Sequence, residues 1–413
     1  MSSVTLTVHR ATREIGGNCI ELAAEGHRLI LDVGRPLDAP PDAIVSLPTT
    51  LDRLEENTAV LISHPHQDHY GLLEDTPVAW PIYSGAATER LIRLTGSIFG
   101  KELHRTFNHW RTGEETRIGP FRVVPWLTDH SAFDAYMLQI DVSGRRVLYS
   151  GDYRRHGRKA ALVDRLMSEP PRGVDLLLME GTNLGTSKPS KTEEGLEAEF
   201  CTLFRATPGR VFVAWSAQNV DRTVTLYRAA LQTGRTLVVD LYAAEVMRAL
   251  ADFGRLPQPD WSRIKVVVTS SLARMYRRRG DSAFVDDMAA NGISARSLEA
   301  DKDKWVIMVR PSLARDYGKA GVCPTADDAW SFSQWSGYLA APDGQALQMW
   351  FDAGGAKAAH IHTSGHASPV DLRAFAQAVA PKAMVPIHGL AWDDAPAGFP
   401  PIIRLKDGEP HEL

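Results

Sequence analysis

The stretch SHPHQDHYG at residues 63–71 constrains this chain most, because it places three histidines and an aspartate within six positions. It follows an apolar run, TAVLI, which predicts a buried strand ending in a loop that turns successive side chains inward. Such polar groups beside an apolar strand are costly to desolvate unless something compensates them. Imidazole nitrogens and carboxylate oxygens are ligands that zinc accepts. We therefore expect His64 and His66 to bind one metal ion and Asp68 and His69 to bind a second.

Four side chains cannot complete two coordination spheres, so further ligands are expected at the ends of other strands. Four polar residues end or follow predicted apolar strands, namely Asp32, His130, Asp152 and His388. One carboxylate can bridge two metal ions, and another can orient a ligand imidazole from behind. We assign the bridging role to Asp152 and the orienting role to Asp32.

Composition limits the class of protein. The chain has 413 residues, of which 44% are hydrophobic, so one large domain or two linked domains can form. No apolar run approaches the ~20 residues needed to cross a bilayer, and the N-terminus lacks the apolar core of a signal peptide. We expect a soluble, cytoplasmic protein. Its three cysteines lie far apart, which argues against a disulfide framework and a thiolate zinc site.

The pattern of predicted elements changes twice along the chain. Short strands and turns mixed with helices fill residues 1–185, and residues 186–355 alternate helix with apolar strand, which is typical of a parallel sheet covered by helices. The turn-rich pattern returns in residues 356–413. We predict an α/β protein in which residues 1–185 and 356–413 form one domain and residues 186–355 form an inserted domain.

The net charge of the chain does not indicate nucleic-acid binding, and only local basic segments bear on it. The formal net charge is −4, so composition carries no general basic signal. Two basic segments stand out, YRRHGRK at residues 153–159 and ARMYRRRG at residues 273–280. Each is either a solvated surface or part of a ligand site.

The order of the candidate ligands resembles the metallo-β-lactamase fold. The resemblance rests on Asp32, the H-x-H-x-D-H run, His130, Asp152 and His388. It implies an αββα sandwich with the metal ions at one edge between the two sheets. It also implies a first ion on His64, His66 and His130, a second on Asp68, His69 and His388, and Asp152 as the bridge. Two such ions, Zn²⁺ or alternatively Mn²⁺, would generate a bridging hydroxide as the nucleophile.

Further motifs are similar to those of the β-CASP nucleases, and specifically of the ribonuclease J branch. Glu180 in LLLMEGTN, His366 in HTSGHAS and His388 in PIHG match the extra motifs of that family, and the inserted segment matches its additional domain. The resemblance implies that His366 is the general acid and Glu180 its orienting partner. His360 or His362 are alternatives for the histidine, and Glu180 has helix capping as an alternative role.

The resemblance also implies contacts with the nucleic acid backbone. Ser364 and Gly365 lie in a turn rich in backbone donors, which suits a phosphate. The segment VFVAWSAQNVDR is similar to the phosphate-binding start of the inserted domain, and two arginines of the basic segment YRRHGRK lie just after Asp152. These further candidates are Ser216, Asn219, Arg222, Arg154 and Arg155.

The resulting hypothesis is a two-metal phosphodiester hydrolase that acts on single-stranded RNA as a 5′ exonuclease, an endonuclease or both. RNA is favoured over DNA, because His388 argues against the DNA-processing branch. The alternatives are a DNA nuclease, a non-catalytic nucleic-acid-binding subunit and a small-molecule hydrolase. Homo-oligomerisation stays open.

Overall fold

The computed structural model describes residues 3–40, 43–54, 56–187, 190–395 and 397–413. The chain forms two compact units. The first is discontinuous and consists of Met1–Ser190 and Gly365–Leu413, and the second is Lys191–Ser364. The second unit thus begins and ends a few residues later than the segment 186–355 that the sequence predicts.

The first unit contains a sheet of seven strands within the described residues, in the order β19-β1-β2-β3-β4-β5-β6. Strands β1, β2, β3 and β19 pair antiparallel, and β4, β5 and β6 add in parallel. The strands are β1 (Val4–Arg10), β2 (Cys19–Ala24), β3 (His27–Val33), β4 (Thr58–Leu61), β5 (Ile82–Ser84), β6 (Phe107–His109) and β19 (Pro410–Glu412).

A second sheet of the same unit has six described strands, in the order β18-β11-β10-β9-β8-β7. Strands β7 to β10 pair antiparallel, whereas β10, β11 and β18 pair in parallel. The strands are β7 (Thr116–Ile118), β8 (Phe121–Leu127), β9 (Tyr136–Val142), β10 (Arg145–Tyr149), β11 (Leu176–Met179) and β18 (Ala383–Pro386).

The first unit has a layered core because side chains alternate along each strand. Leu31 of β3 and Ile140 of β9 share one buried cluster, to which both sheets contribute. Ile30 points to the opposite face and packs in a cluster with Ile92 of a helix. The outer face of the second sheet packs against two further helices. These helices are α2 (Ala86–Ile98), α3 (Ala160–Ser168) and α11 (Pro369–Val379). This order of layers confirms the predicted αββα sandwich.

The second unit is an α/β domain around a sheet whose six described strands are all parallel, in the order β14-β13-β15-β12-β16-β17. Strands β12 to β15 are mostly buried and rich in Val and Ile, as expected for a sheet covered on both faces, whereas the edge strand β17 is largely exposed. The strands are β12 (Val211–Ala214), β13 (Thr236–Asp240), β14 (Ile264–Val267), β15 (Trp305–Met308), β16 (Ala329–Phe332) and β17 (Lys357–Ala359). The helices are α4 (Glu193–Ala206), α5 (Val220–Thr233), α6 (Leu241–Ala249), α7 (Ser270–Arg278), α8 (Ser282–Ala290), α9 (Pro311–Lys319) and α10 (Pro342–Gly354).

Short helices connect the larger elements. The four-residue helix α1 spans Gln67–Tyr70, and the 3-10 helices span Leu73–Asp75, Ala251–Phe253, Ala295–Glu299, Lys302–Lys304, Ser336–Ala340 and Trp392–Asp394. Within the described ranges, every helix is too short or too polar to traverse a lipid bilayer.

Candidate metal centre

The segment between β4 and Gly71 carries four of the candidate ligands. The sequence predicts a strand to Ser63 followed by a loop, but β4 ends at Leu61 and the helix α1 carries Asp68 and His69. This single turn forms because the amide of Gly71 donates to the carbonyl of Gln67 at 2.7 Å. The helical turn points both ligand side chains toward the same centre.

Other candidate ligands follow strands of the second sheet. Asp152 lies beyond β10, Glu180 follows β11 directly, and His388 lies two residues beyond β18. These three strands are parallel, so their carboxyl ends meet at one edge of the sheet. Strand β8, which precedes His130, runs in the same direction because β9 pairs antiparallel with both β8 and β10. Polar residues that follow these apolar strands therefore come together at this edge, although they lie far apart in the sequence.

Three histidines form the first group of candidate ligands. Nδ1 of His66 lies 3.2 Å from Nε2 of His64 and 3.2 Å from Nε2 of His130. His64 and His130 are buried. One nitrogen from each of the three rings lies within 4.8 Å of the other two.

Asp68, His69, Asp152 and His388 form the second group, again with one ligand atom each within 4.8 Å of the others. Oδ2 of Asp152 lies 3.1 Å from Nε2 of His69 and 3.7 Å from Nε2 of His388. The same oxygen lies 3.7 Å from Nε2 of His64, a member of the first group. Asp152 therefore stands between the two groups.

Asp32 lies behind this cluster and is fully buried. Its Oδ2 accepts hydrogen bonds from Nδ1 of His69 at 2.7 Å and from the hydroxyls of Ser63 and Tyr149 at 2.7 and 2.5 Å. Its Oδ1 accepts from the backbone amide of Ser63 at 2.7 Å. The bond from His69 fixes the proton on Nδ1 and turns the lone pair of Nε2 toward the centre.

Similar partners orient the other imidazoles. Nδ1 of His130 donates to the carbonyl of Gly365 at 2.6 Å. Because the hydroxyl of Ser63 donates to Asp32, it accepts from Nδ1 of His64 at 3.0 Å. Nε2 of His64 and of His130 are then unprotonated in the neutral rings, and both face Nδ1 of His66.

This donor set fits divalent metal ions. Nitrogen lone pairs that face one another cannot all be satisfied by hydrogen bonds, and Oδ1 of Asp152 is buried with no hydrogen-bond partner in the described residues. A bound cation compensates both features. Three imidazoles on one side and a mixture of imidazole and carboxylate on the other are ligands for zinc and for manganese.

The electrostatics differ between the two groups. Burial lowers the pKa of His64 and His130 well below the ordinary value, and lowers that of His66 to about 4. These rings are therefore neutral, as metal ligation requires. In the second group, burial opposes ionisation of Asp152, but His388 and His69 hold its pKa well below the ordinary value. Asp152 is therefore a carboxylate.

Glu180 and His366 form a pair beside the second group. Oε2 of Glu180 lies 3.2 Å from Nδ1 of His366, and Glu180 is fully buried. The side chain of His366 is 19% exposed, so it is accessible from solvent. His360 lies in the second unit, where its Nε2 lies 3.2 Å from the carbonyl of Gln334. Geometry therefore pairs Glu180 with His366 among the candidate histidines.

Comparison with known proteins agrees with this geometry. Residues 36–237 match the family model described as a Beta-lactamase superfamily domain. The chain is 29% identical over 280 residues to Ribonuclease J of Mycobacterium tuberculosis, which covers 63% of this chain and 49% of that protein. It is 23% identical over 410 residues to Ribonuclease J of Helicobacter pylori, which covers 94% of this chain and 56% of that protein. The chain is thus similar to the Beta-lactamase superfamily domain and to ribonuclease J.

The predicted resemblance to the β-CASP and ribonuclease J branch is thus confirmed. The ribonuclease J-like chain spans about half the length of the first curated relatives it matches. A crystal structure of a protein of unknown function from Enterococcus faecalis V583 shares the fold, with a TM-score of 0.81, 20% identity and full coverage of both chains. The superfamily domain and the clusters of histidine and aspartate indicate divalent metal binding.

Two of the arginines predicted to bind phosphate are buried in the ribonuclease J-like chain. Arg154 lies against Asp129, with Nε 3.5 Å from Oδ1. Arg222 donates to both carboxylate oxygens of Glu193, at 3.1 and 3.2 Å, and is fully buried. A phosphate contact is therefore not supported for either residue. The sequence does not reveal this burial, because an arginine is buried only where folding supplies a partner.

The other residues predicted to contact phosphate differ in exposure and in the contacts that they make. Arg155 is exposed and lies near Asp164 and Asp371. Ser216 is exposed, whereas Asn219 caps helix α5 through a hydrogen bond from the amide of Arg222 at 3.1 Å. Ser364 is the last residue of the second unit, and Gly365 begins the returning segment of the first.

Sequence reasoning missed the residues that orient the ligands. The hydroxyl of Thr182 lies 2.8 Å from Nδ1 of His388, and Asn18 donates to the hydroxyl of Tyr149 at 3.0 Å. Ser63 stands beside two of the ligand histidines. A usable signal was present for Ser63 and Thr182, since each is a hydroxyl residue within two positions of a predicted site residue.

Proposed function

We propose that this chain is a metal-dependent nuclease that hydrolyses phosphodiester bonds in single-stranded RNA. One observation carries the proposal: lone pairs and carboxylate oxygens from seven side chains converge next to the pair of Glu180 and His366. The proposed ions are two divalent metals, Zn²⁺ with Mn²⁺ as the alternative. His64, His66 and His130 would hold one, Asp68, His69 and His388 would hold the other, and Asp152 would contact both.

The proposed role of each residue follows from its position relative to the ligand groups. When bound, two divalent ions lower the pKa of a water molecule so that it becomes the nucleophile, and they stabilise charge on the phosphoryl group. Asp32 keeps the proton of His69 on Nδ1, and the carbonyl of Gly365 does the same for His130. These contacts hold the ligand nitrogens in the direction that metal binding needs.

His366 is the proposed general acid. Cleavage of a phosphodiester expels an alkoxide, which needs a proton. Burial alone would lower the pKa of His366, but Glu180 and Asp152 raise it to about 9. Glu180 contacts Nδ1, so the other ring nitrogen, Nε2, would donate the proton to the leaving oxygen. Glu180 orients the ring and keeps it charged at neutral pH.

RNA is the proposed polymer because the relatives named Ribonuclease J match up to 94% of this chain. The second unit is the proposed β-CASP domain and is expected to hold the strand. Ser364, Gly365, Ser216 and the exposed Arg155 are the remaining candidates for phosphate contacts. We propose cleavage from the 5′ end, within the strand, or by both modes.

Cleavage assays with labelled polymers test this function. The metal-loaded chain is incubated with 5′-labelled single-stranded RNA and with DNA of the same sequence. Released mononucleotides indicate a 5′ exonuclease, and discrete fragments indicate an endonuclease. His366→Ala should slow cleavage by roughly 10²–10⁴-fold. His360→Ala, an exposed histidine of the second unit, is the matched control and should retain activity.

The assay also separates the alternatives. Cleavage of DNA alone would replace the proposed ribonuclease by a DNA nuclease. If the wild type cleaves neither polymer with Zn²⁺ or Mn²⁺ supplied, the nuclease proposal is wrong.

A further inference from the structure

An open pocket of about 590 Å³ lies in the second unit beyond the carboxyl end of β14. Val268 and Thr269 line it, together with residues along the whole length of α7. In open parallel sheets, ligands bind outside the carboxyl ends of strands. The lining contains none of the candidate metal ligands, so this pocket is separate from the metal centre.

The floor of the pocket presents hydrogen-bond donors. Helix α7 has nine residues, and the amides of its first turn have no acceptor within the helix. Thr269 occupies the N-cap position, but its side chain caps none of these amides. Thr269 is only 3% exposed, and its Oγ1 has no hydrogen-bond partner among the described residues. Because an unpaired buried hydroxyl is costly, this group points to a ligand that pairs with it.

The rim of the pocket is basic. Arg274, Arg277 and Arg278 line it and are exposed, and their spacing places them on one side of α7. Arg277 pairs with Asp286 at 3.0 Å. Within the described ranges, neither Arg274 nor Arg278 forms an ion pair. Two guanidinium groups therefore face solvent at the mouth of the pocket without a carboxylate partner.

Acidic groups also lie near the helix, and one of them contacts its first turn. Oδ1 of Asp316 accepts a hydrogen bond from the hydroxyl of Ser271 at 2.5 Å. Asp281 and Glu245 pair with Arg279, which does not line the pocket. The arginines of the lining and the positive end of the helix favour an anion in the pocket, and the carboxylate of Asp316 at the first turn opposes it.

We propose that this pocket binds a phosphate group. The hydroxyl of Thr269 and the first-turn amides of α7 would donate to its oxygens, as at other anion sites of helix N-termini. Arg274 and Arg278 would add charge-assisted hydrogen bonds, for which the planar guanidinium is well suited. The phosphate belongs either to a nucleic acid strand or to a free phosphate compound. The site is independent of the proposed hydrolysis at the metal centre.

Arginine-specific modification tests the site on the full metal-loaded chain. The protein reacts with phenylglyoxal in the presence of inorganic phosphate, a single-stranded RNA oligonucleotide, or chloride at matched ionic strength. Peptide mass spectrometry then reports modification of each arginine. We expect ligand to reduce modification of Arg274 and Arg278 by about three-fold or more relative to chloride. Arg255 and Arg296, exposed arginines of the same unit, are internal controls and should not change.

Thr269→Val keeps the shape of the side chain and removes its hydroxyl, so protection of the two arginines should weaken in this variant. Protection by inorganic phosphate supports a site for free phosphate compounds, and protection by the oligonucleotide alone supports a site for the strand. The proposal is overturned if neither ligand protects Arg274 and Arg278. It is also overturned if Arg255 and Arg296 are protected equally, or if Thr269→Val leaves protection unchanged.

Discussion

Nδ1 of His366 lies 3.2 Å from Oε2 of Glu180, which places a charged acid–base pair beside the metal-ligand cluster. Glu180 is itself fixed, because Oε2 accepts from the amide of Thr182 at 3.1 Å and Oε1 accepts from the amide of Tyr153 at 3.4 Å. The carboxylate is therefore positioned by the backbone before it contacts the imidazole. This relationship makes the protonation state of His366 depend on Glu180.

Glu180→Gln should remove the charge that favours protonated His366 while preserving the side-chain shape. Because the pKa of His366 is raised to about 9, its acid form is present below that value and is lost as pH rises through it. We expect the rate of cleavage to fall roughly 10–100-fold and its alkaline decline to move to lower pH. Rate measurements between neutral and alkaline pH give both quantities.

A double variant checks that the two residues act together. Adding Glu180→Gln to His366→Ala should cause little further loss, because the carboxylate acts through the imidazole. An unchanged alkaline decline in Glu180→Gln would contradict the proposed pairing, as would fully additive losses.

Asp32→Asn should weaken metal binding without removing a ligand. Asp32 has a φ of +60°, a backbone conformation that asparagine tolerates. Asparagine keeps one acceptor oxygen and places a donor NH₂ group at the other position, so the four hydrogen bonds that Oδ1 and Oδ2 accept now cannot all form and the orientation of His69 is weakened. We expect metal affinity to fall about 10–100-fold. Competition with a chelator measures this, and Asp38→Asn at an exposed site is the control. Equal affinity in both variants would refute the orienting role.

Gly34→Ala should disrupt the helical turn that carries Asp68. A Cβ atom at Gly34 would lie 1.7 Å from the carbonyl oxygen of Asp68, which also accepts from the amide of Asn18. Backbone cannot move out of the way cheaply, so we expect destabilisation of about 1–3 kcal/mol or more, as for overpacking. Gly318 of helix α9 has no such neighbour, and Gly318→Ala should be neutral or stabilising. Denaturant unfolding compares the two variants, and equal stabilities would contradict the close contact.

It could be predicted from the sequence that the candidate ligands lie close together. The prediction combines polar residues that follow apolar runs with the rule that the carboxyl ends of parallel strands meet at one edge of a sheet. Asp152 and His388 each follow an apolar run, and the carboxyl ends of parallel strands meet at one edge. The structure brings these side chains within 4.8 Å of Asp68 and His69. Pattern alone misplaced the end of β4, because a single helical turn such as α1 has no hydrophobic periodicity of its own.

Contacts made through the backbone or through burial could not be predicted. The carbonyl of Gly365 orients His130, and a carbonyl has no residue signature in the sequence. Arg222 reads as a phosphate ligand, but folding supplies Glu193 as its partner and removes it from solvent. Such pairings depend on tertiary packing, which local sequence does not encode.

A buried pair in the second unit makes stability depend on pH. Burial alone would raise the pKa of Asp328, but hydrogen bonds from Arg210 hold it below the ordinary value of 3.8. The ionised carboxylate of Asp328 therefore stabilises the folded state fully above pH 3.8. This contribution is lost as pH falls through the lower pKa that Asp328 has in the folded state. Asp328→Asn should cost up to about 3–5 kcal/mol at neutral pH, because it removes the buried charge partner of Arg210 and leaves only the partly exposed Glu299 to pair with it.

The difference between wild type and Asp328→Asn should shrink in acid, below 3.8, where the unfolded carboxyl is protonated. Denaturant unfolding across acidic pH measures it. Asp327 precedes Asp328 in the chain and is exposed, so Asp327→Asn is the control and should change the free energy of unfolding little at any pH. A constant difference across the range would contradict the role of the ionised pair.

The count of bound metal ions tests the central claim most directly. After reconstitution with Zn²⁺ or Mn²⁺ and removal of free ions, metal analysis of the wild type should give about two ions per chain, the number that the two ligand groups imply. Asp68→Ala should lower the count and abolish cleavage of RNA. Well under one bound ion per chain in the wild type, or full cleavage by Asp68→Ala, would contradict the two-metal centre.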